Sequence, residues 1–407
     1  MESNNPRKRV CVIAFSPTVA DARVLRQARG LALEFHVTVC GFGANPFPPE
    51  AESNIAWREI PHARWEYFAL YPLRQLMLLP GMVLPRVLHW CEAVHSWTRA
   101  AEKVIRDGRF DAVICNDTET ITLGIVAKRL NPETKIILDL HEYATRESDL
   151  SSVPFRKKFK SVCLILPLRR RLLKHHAPKF DAVMTVNDVF SELYPQEFGM
   201  KKPVVIMNAP DLPPDLPQAL PVGETVNLIH HGSLGRYREP VRMIRAVGLC
   251  PPHYRLHFIF ENRDPSLIEE LKAEAERFAP GRVEFHPPVN PAEVTATIAR
   301  FDAGIYILPP KSFNDEHCLP NKFFDFIVAG LAVVISPNPL MAAIVRRHGL
   351  GTVARDYSPE AMAEAIQTLT PQSVAAFRAA SGVARMQLNG AAEMEKVHAL
   401  VKGVLES

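Results

Sequence analysis

The segment LPNKFFDFIVAGLAVVIS, residues 319–336, joins a helix start to a buried strand and best indicates the fold. Pro320 restricts the loop and is typical of a helix beginning, and Gly330 is a typical helix end. The apolar run Ala332–Ser336 then has the composition of a buried parallel strand. A helix followed by a parallel strand is the repeating unit of an α/β protein.

The helix start within this segment carries charges that suit an anionic ligand. The amides of Asn321 and Phe323 lie at a helix N-terminus and would face a phosphate, and Lys322 adds a full positive charge. Asp325 lies one turn further on, where its carboxylate can accept hydrogen bonds from sugar or ribose hydroxyls. The alternative is an ordinary helix with a solvated lysine and aspartate, and spacing alone does not decide between the two.

Outward from this segment, β-branched runs alternate with helical patterns in two series. This alternation predicts βαβ units and parallel sheets. The first series is Val10–Phe15, His36–Gly41, Asp111–Cys115, Lys135–Leu140, Asp181–Val186 and Val204–Met207. The second series is Val226–His231, Tyr254–Phe260, Arg282–His286, Asp302–Leu308, Ala332–Ser336 and Gly351–Ala354. Asp21 precedes apolar residues at helical spacing and is expected to cap that helix.

A Pro-rich stretch, Asn208–Pro221, has no apolar period and is the best candidate for a linker. We therefore expect an N-terminal domain at 1–207, the linker at 208–221, a C-terminal domain at 222–385 and a terminal helix at 386–407. This helix is a candidate for packing back on the N-terminal domain. Two α/β domains joined in this way predict a ligand cleft between them.

The composition limits the function classes. The chain has 407 residues, a formal charge of +4 and seven cysteines without CxxC spacing. This charge is too small for the length to indicate a nucleic-acid partner, and the cysteines favour a reduced, cytoplasmic protein. The opening MESNNPRKRV lacks the apolar region of a signal peptide, and the nearly apolar run Leu76–Leu84 is too short to span a membrane.

A second glycine-containing turn, HGSLGRYR at His231–Arg238, follows the first strand of the second series. Gly232 would let the backbone approach a ligand, and Arg236 or Arg238 would neutralise a pyrophosphate. Such turns are common for steric reasons alone. The Lys322 segment strengthens the interpretation, because both lie at the carboxyl ends of strands in one sheet.

Polar side chains follow three strands of the N-terminal half. These are Ser16–Thr18, Asn116–Thr118 and Asp139–Glu142. His141 and Glu142 are the candidates for ligand binding or proton transfer. The alternative is that these residues cap turns and helices, and we prefer that interpretation for Asn116 and Asp117.

Several familiar catalytic motifs are absent from the sequence. It has no Asp-x-Asp pair, HExxH motif or Cys/His quartet with zinc spacing, so a metal-dependent mechanism has no support. It also lacks the GxSxG elbow, the Walker loop and the GxGxxG turn. Hydrolases, P-loop enzymes and dinucleotide oxidoreductases are therefore disfavoured.

The tract Phe155–Lys179 contains nine Lys and Arg residues and no acidic residue, interleaved with apolar side chains. The upstream stretch Trp65–Trp90 adds aromatic residues and leucines. Together they predict a face that rests on an anionic membrane. The alternative is that the leucines are core residues and the basic side chains are solvated, and the sequence leaves both open.

Taken together, these residues resemble the retaining GT-B glycosyltransferases of the large family-four type. The order and spacing of the matching segments are more specific than any one of them. The segments are Asp21–Ala28, Asp139–Glu142, Val204–Asn208, His231–Leu234, Val283–His286, Leu319–Asp325 and Ala329–Leu331.

The resemblance implies two Rossmann-like domains with parallel sheets that face each other across a cleft. The C-terminal domain would hold a nucleotide-sugar donor, UDP- or GDP-linked, and the N-terminal domain would meet a glycan or lipid-linked acceptor. It further implies retaining, metal-independent transfer in surface polysaccharide synthesis, with no cofactor beyond the donor. The protein would be cytoplasmic, with peripheral contact to the inner face of the cell membrane as one option.

The resemblance also implies roles for individual residues. The catalytic group would be His141, Arg238, Lys322 and His317. The donor would contact Gly232, Ser233, Arg236, Pro320, Asn321, Phe323 and Asp325. Two positions depart from the family pattern. The family's paired glutamates are His317 and Asp325 here, and Ser233 stands where the family has an arginine, for which Arg236 is the expected substitute.

Two other functions remain compatible with these residues. A nucleotide-sugar epimerase can share the two-domain fold. A catalytically silent subunit that binds a nucleotide sugar would account for the departure at His317.

Overall fold

A computed structural model describes residues 7–48, 52–61, 95–146, 165–215, 223–232, 235–260 and 264–407. The chain divides into two compact units, Met1–Met207 together with Met394–Ser407, and Asn208–Glu393. Each unit is built on one parallel sheet with helices packed against it. The predicted fold class, α/β with two Rossmann-like domains, is confirmed.

Within its described residues, the first unit has a seven-stranded sheet in the order β3-β2-β1-β4-β5-β6-β7. Its strands are β1 Arg9–Pro17, β2 His36–Phe42, β3 Ile55–Glu59, β4 Ala112–Asn116, β5 Lys135–Leu140, β6 Ala182–Thr185 and β7 Val204–Val205. The direction of strand addition reverses between β1 and β4. In open parallel sheets the carboxyl edge at this switch point is where ligands bind.

The helices of this unit connect the strands or close the sheet. They are α1 Ala22–Leu31, α2 Ser96–Gly108, α3 Ile121–Leu130, α4 Leu166–His176, α5 Asp188–Phe198 and the terminal helix α14 Gly390–Glu406. As predicted, Asp21 caps α1, since its carboxylate accepts a 3.1 Å hydrogen bond from the amide of Val24. The terminal helix contributes Val397, Val401 and Val404 to the core of this unit, because these residues fall on one helical face.

The sequence patterns missed one strand of this sheet, β3. It is an edge strand of five residues, Ile55–Glu59, and none of them is fully buried. Its hydrogen bonds to β2 determine its conformation, and its two apolar side chains that pack on the core, Ile55 and Trp57, are only partly buried and too few to reveal a periodicity.

The second unit repeats the arrangement with six strands among its described residues, in the order β10-β9-β8-β11-β12-β13. The strands are β8 Val226–His231, β9 Tyr254–Ile259, β10 Val283–His286, β11 Ala303–Tyr306, β12 Ala332–Ile335 and β13 Gly351–Val353. The helices are α6 Val241–Gly248, α7 Pro265–Phe278, α8 Val294–Ile298, α9 Phe313–Glu316, α10 Asn321–Val328, α11 Pro339–His348, α12 Pro359–Gln367 and α13 Pro371–Ala384. The switch point of this sheet lies between β8 and β11.

Helix α10 and strand β12 form the predicted helix–strand unit. Pro320 is the N-cap residue, and Gly330 follows the helix with φ of 73°. Phe326 packs on β11 at Gly304, where an added Cβ would lie 2.2 Å from the ring. Glycine at that position therefore lets α10 approach the sheet, and burial of each phenylalanine contributes about 1.5 to 3 kcal/mol.

The basic tract Phe155–Lys179 is only partly described, because residues 155–164 lie outside the described residues, as does Trp65–Trp90. In the described part, Leu168, Leu172 and Leu173 are buried. Arg169 lies 2.7 Å from Glu119, and Arg170 lies 2.9 Å from Glu197. These leucines are core residues and these two arginines are paired, whereas Arg171 and Lys174 are exposed. Within the described residues, no helix combines the length and apolarity needed to cross a bilayer.

Candidate functional site

The two turns that the sequence suggested as a phosphate site meet at the switch point of the second sheet. The Nζ of Lys322 lies 3.5 Å from Nε2 of His230, near the end of β8. It also lies 5.1 Å from the ring centre of Tyr306, the last residue of β11. Gly232, with φ of 91°, follows β8 directly, and a Cβ added there would lie 3.5 Å from Cε of Lys322. Gly232 and Lys322, one from each turn, therefore lie together in the structure.

The charge of Lys322 is poorly stabilised in the protein alone. Its side chain is buried, and burial together with the positive charge of Arg238 lowers its pKa to about 7, although Asp325 opposes this shift. Burial and the neighbouring Lys322 also lower the pKa of His230 well below its ordinary value, so that ring stays neutral. An anion bound beside Lys322 would restore the charge that burial disfavours.

The structure separates the two arginines of the HGSLGRYR turn. Arg238 is the one whose charge acts on Lys322, and its Nε donates a 2.6 Å hydrogen bond to the hydroxyl of Tyr237. Arg236 is half-exposed and turns toward α7, where it contacts the carboxylate of Glu270 and donates a 2.9 Å hydrogen bond to Ser266. Ser233 lies outside the described residues. Arg238 therefore belongs to this group, and Arg236 points elsewhere.

The first turn of α10 is organised by packing as well as by charge. Pro320 is extended, and its carbonyl accepts a 3.0 Å hydrogen bond from the amide of Phe323. The side chain of Phe323 is fully buried, whereas Asn321 is exposed. Phe323 thus holds the helix start against the core, while Asn321 and Lys322 lie at the end where a ligand would approach.

Asp325 lies beside a histidine whose position the sequence did not reveal. Nε2 of His231 lies 3.4 Å from a carboxylate oxygen of Asp325. Burial and the charge of Lys322 lower the pKa of His231 to about 3, so the ring is neutral beside this carboxylate, and its Nε2 makes no hydrogen bond to the described residues. The signal available in the sequence was a histidine at the carboxyl end of a strand.

His317, one of the residues implied to be catalytic, directly follows the short helix α9. Its Nδ1 lies 3.0 Å from the carbonyl oxygen of Phe313, and its ring lies against the Phe313 ring, with the centres 4.4 Å apart and the planes tilted by 36°. These contacts hold the imidazole ring of His317 against Phe313, the first residue of α9.

In the first unit, His141 follows β5 and is surrounded by polar groups. Its Nε2 lies 3.1 Å from Oδ1 of Asn116 and 3.6 Å from Oδ2 of Asp139. Its Nδ1 lies 3.3 Å from Oδ2 of Asp117, and its backbone amide donates a 3.1 Å hydrogen bond to Oδ1 of the same residue. The preference for capping roles at Asn116 and Asp117 was wrong. Asp117 precedes a 3-10 turn without capping it, and both side chains orient His141.

The carboxylate of Asp139 is fixed from the opposite side by α1. It accepts hydrogen bonds of 2.9 and 2.7 Å from Arg23, and one of 3.2 Å from Gln27. Burial alone would raise the pKa of Asp139, but the charges of Arg23 and His141 hold it well below its ordinary value. Arg23 and Gln27 were not predicted as site residues. The sequence could have indicated them, because polar residues four positions apart lie on the buried face of an amphipathic helix.

These carboxylates also set the charge of His141. Burial lowers its pKa, but Asp117 and Asp139 outweigh burial and raise it above the ordinary value. Asp117 has φ of 64°, a strained value for a residue other than glycine, as is often seen at functional sites. A protonated imidazole at this sheet edge can donate a hydrogen bond to a hydroxyl or phosphate oxygen. Glu142 is exposed, and its carbonyl accepts a 2.6 Å hydrogen bond from Tyr194.

Both polar groups therefore lie where parallel α/β sheets bind ligands, and solved structures share this architecture. HepE of Anabaena in complex with UDP-glucose is 15% identical with a TM-score of 0.66, over 97% of this chain and 99% of that one. Sucrose-phosphate synthase of Thermosynechococcus elongatus is 14% identical with a TM-score of 0.69, over 98% and 100%. A glycosyltransferase of Rickettsia africae is 11% identical with a TM-score of 0.66, over 99% and 100%.

The similarity is structural. No protein-family model matches the sequence, and no curated protein matches it significantly. At these identities the likeness shows a shared fold, and it confirms the GT-B glycosyltransferase fold that the sequence resemblance implied.

Proposed function

We propose that this protein is a glycosyltransferase that uses a nucleotide-sugar donor and binds the donor diphosphate at Lys322. The observation that carries this proposal is a buried lysine with a lowered pKa, beside Gly232 and within the field of Arg238, at the β8/β11 switch point. A diphosphate would supply the negative charge that this group lacks. The shared fold with HepE, which was solved with UDP-glucose, supports the choice of a nucleotide sugar.

We assign the remaining donor contacts from the same geometry. Asp325, whose carboxylate lies 3.4 Å from His231, would accept the ribose hydroxyls. Asn321 at the exposed start of α10 would meet the phosphates. The base is expected to be uracil or guanine, and UDP is the first nucleotide to test, because HepE was solved with it.

The proposed reaction is retaining and needs no metal. As the sugar leaves, negative charge builds on the diphosphate, and Arg238 and Lys322 would stabilise it without reorganising. The donor phosphate would take the acceptor proton. His141, held by Asp117 and Asp139, would donate a hydrogen bond to the sugar or the acceptor.

We propose a glycan or lipid-linked acceptor in surface polysaccharide synthesis, and a cytoplasmic protein with peripheral contact to the membrane. The support is the family resemblance and the exposed basic residues Arg171 and Lys174. Among the described residues, the leucines of this tract are buried, so membrane contact would depend on these cations rather than on inserted apolar side chains.

The decisive experiment measures binding of UDP-, GDP-, ADP- and CMP-sugars by calorimetry in the presence of EDTA. The variant Lys322→Met should lose about 1.5 to 3 kcal/mol of binding free energy, the range for a hydrogen bond to a charged group. Lys272→Met is the matched control, because Lys272 is an exposed lysine of the same unit that pairs with Glu269. Equal affinities for the wild type and Lys322→Met would refute the assignment.

A catalytically silent binding subunit is the second candidate. It is favoured by His317, which occupies a position where the family has a glutamate and is held against Phe313. This candidate predicts donor binding without transfer to any acceptor. Conversion of the donor sugar without an acceptor would instead identify an epimerase.

A further inference from the structure

Three potential metal ligands converge on the edge of the second sheet, on strands β9 and β10. Nδ1 of His257 lies 3.0 Å from Nε2 of His286. Oε2 of Glu284 lies 3.5 Å from Nδ1 of His257 and 3.9 Å from Nε2 of His286. Two ligand atoms bound to one tetrahedral Zn²⁺ at about 2.0 to 2.1 Å are separated by about 3.3 Å. The three atoms are therefore spaced nearly as a single zinc ion requires.

The sheet itself brings these residues together. Glu284 is the register partner of His257 on the neighbouring strand, so their side chains leave the sheet on the same face. His286 lies two residues after Glu284 and therefore shares that face. The rings of His257 and His286 lie nearly parallel, at 22°. The backbone thus determines the arrangement, and modest side-chain rotations would aim the lone pairs at one point.

A hydrogen-bond chain behind His257 selects the tautomer that a metal needs. The carboxylate of Asp302 only accepts hydrogen bonds, so the amide nitrogen of Asn227, at 3.3 Å, faces it. The amide oxygen of Asn227 then faces Nε2 of His257 at 3.2 Å. That nitrogen must carry the proton, which leaves the lone pair on Nδ1, directed toward Glu284 and His286. Metal-binding histidines are commonly oriented by such a contact.

Glu284 supplies the negative charge of the cluster. Arg255 approaches the other carboxylate oxygen, Oε1 of Glu284, at 3.6 Å and leaves Oε2 available. His286 is partly exposed, so on metal binding its proton can move from Nε2, which faces His257, to Nδ1.

We propose that His257, Glu284 and His286 form a binding site for Zn²⁺ or a similar borderline divalent metal, completed by water. Two imidazoles and one carboxylate are a donor set that Zn²⁺ accepts, and a water would fill the fourth position. The ion would join the edge strand β10 to β9, and it is separate from the metal-free transfer proposed above.

The test uses the full chain after chelation and dialysis. Titration with Zn²⁺, followed by calorimetry and by the melting temperature, should show one strong site in the wild type. His286→Ala and the isosteric Glu284→Gln should each weaken binding by about tenfold or more. Titration with Co²⁺ should give a visible absorption band typical of low-coordinate cobalt, and His286→Ala should lose it. His253→Ala is the matched control, since His253 is an exposed histidine just before β9.

An unchanged circular dichroism spectrum would show that the variants are folded. Failure of the wild type to bind Zn²⁺ would overturn the proposal, as would unchanged binding in both His286→Ala and Glu284→Gln. Equal loss in His253→Ala would also overturn it, because the ion would then bind surface imidazoles without a defined site.

Discussion

Arg23 and Asp139 form a bidentate ion pair with hydrogen bonds of 2.9 and 2.7 Å between residues 116 positions apart. The pair is buried and joins α1 to the carboxyl end of β5. It orients one carboxylate oxygen of Asp139 toward His141, at 3.6 Å. A residue of the first helix therefore determines the electrostatic environment of a candidate catalytic residue.

Removing Arg23 should leave Asp139 as an uncompensated buried charge. We expect Arg23→Ala to lower the free energy of unfolding of the first unit by about 3 to 5 kcal/mol, measured by urea denaturation. Arg29→Ala is the control, because Arg29 forms a more exposed pair with Glu52 and should cost less than about 1 kcal/mol. Similar decreases in the free energy of unfolding in the two variants would show that the buried ion pair stabilises the protein no more than the exposed one.

Lys322 should make stability depend on pH in a defined direction. Its pKa is about 7 in the folded protein instead of 10.5, so between these values the unfolded chain binds more protons and stability rises with pH. Lys322→Met should therefore be more stable than the ligand-free wild type at neutral pH, by on the order of 1 kcal/mol or more. This advantage should shrink as the pH approaches 10.5. Melting temperatures across this range test the prediction, and a pH-independent difference would contradict it.

His141 should show the opposite dependence. Asp117 and Asp139 raise its pKa, so its contribution to stability is fully present below the unfolded pKa of about 6.5 and is lost as the pH rises through the folded value. We expect His141→Gln to be most destabilising under mildly acidic conditions and to lower the transfer rate. His398→Gln, in the terminal helix, serves as the control for transfer. A His141→Gln enzyme with the wild-type rate would remove His141 from the mechanism.

Contact with an anionic membrane should depend on the exposed cations of α4. Replacing Arg171 and Lys174 by glutamate should reduce co-sedimentation with liposomes rich in phosphatidylserine, because each cation near such a surface contributes about 1 kcal/mol. The matched control reverses the charges of Arg346 and Arg347 at the end of α11 in the second unit. Sedimentation that is absent in the wild type, or equal in both double variants, would identify the tract as a solvated face.

The sequence by itself determined the local elements and their order. Two series of β-branched runs separated by helical patterns were enough to predict two parallel-sheet units, because burial on both faces of a strand leaves a nearly continuous apolar run. Asp21 as a cap and Gly330 as a helix end followed from backbone chemistry within a few residues. Among the described residues, the edge strand Ile55–Glu59, whose side chains are at most partly buried, escaped this reasoning.

Tertiary structure alone decided which polar residues act together. Arg236 and Arg238 are two positions apart. Arg236 pairs with Glu270 on α7, whereas the charge of Arg238 acts on Lys322. The pairing of Arg23 with Asp139 likewise depends on where α1 packs against the sheet. Hydrogen bonds and desolvation depend on distance in space, and the packing of an entire domain sets that distance between residues far apart in the chain. A short segment of sequence therefore does not reveal which distant residues it will contact.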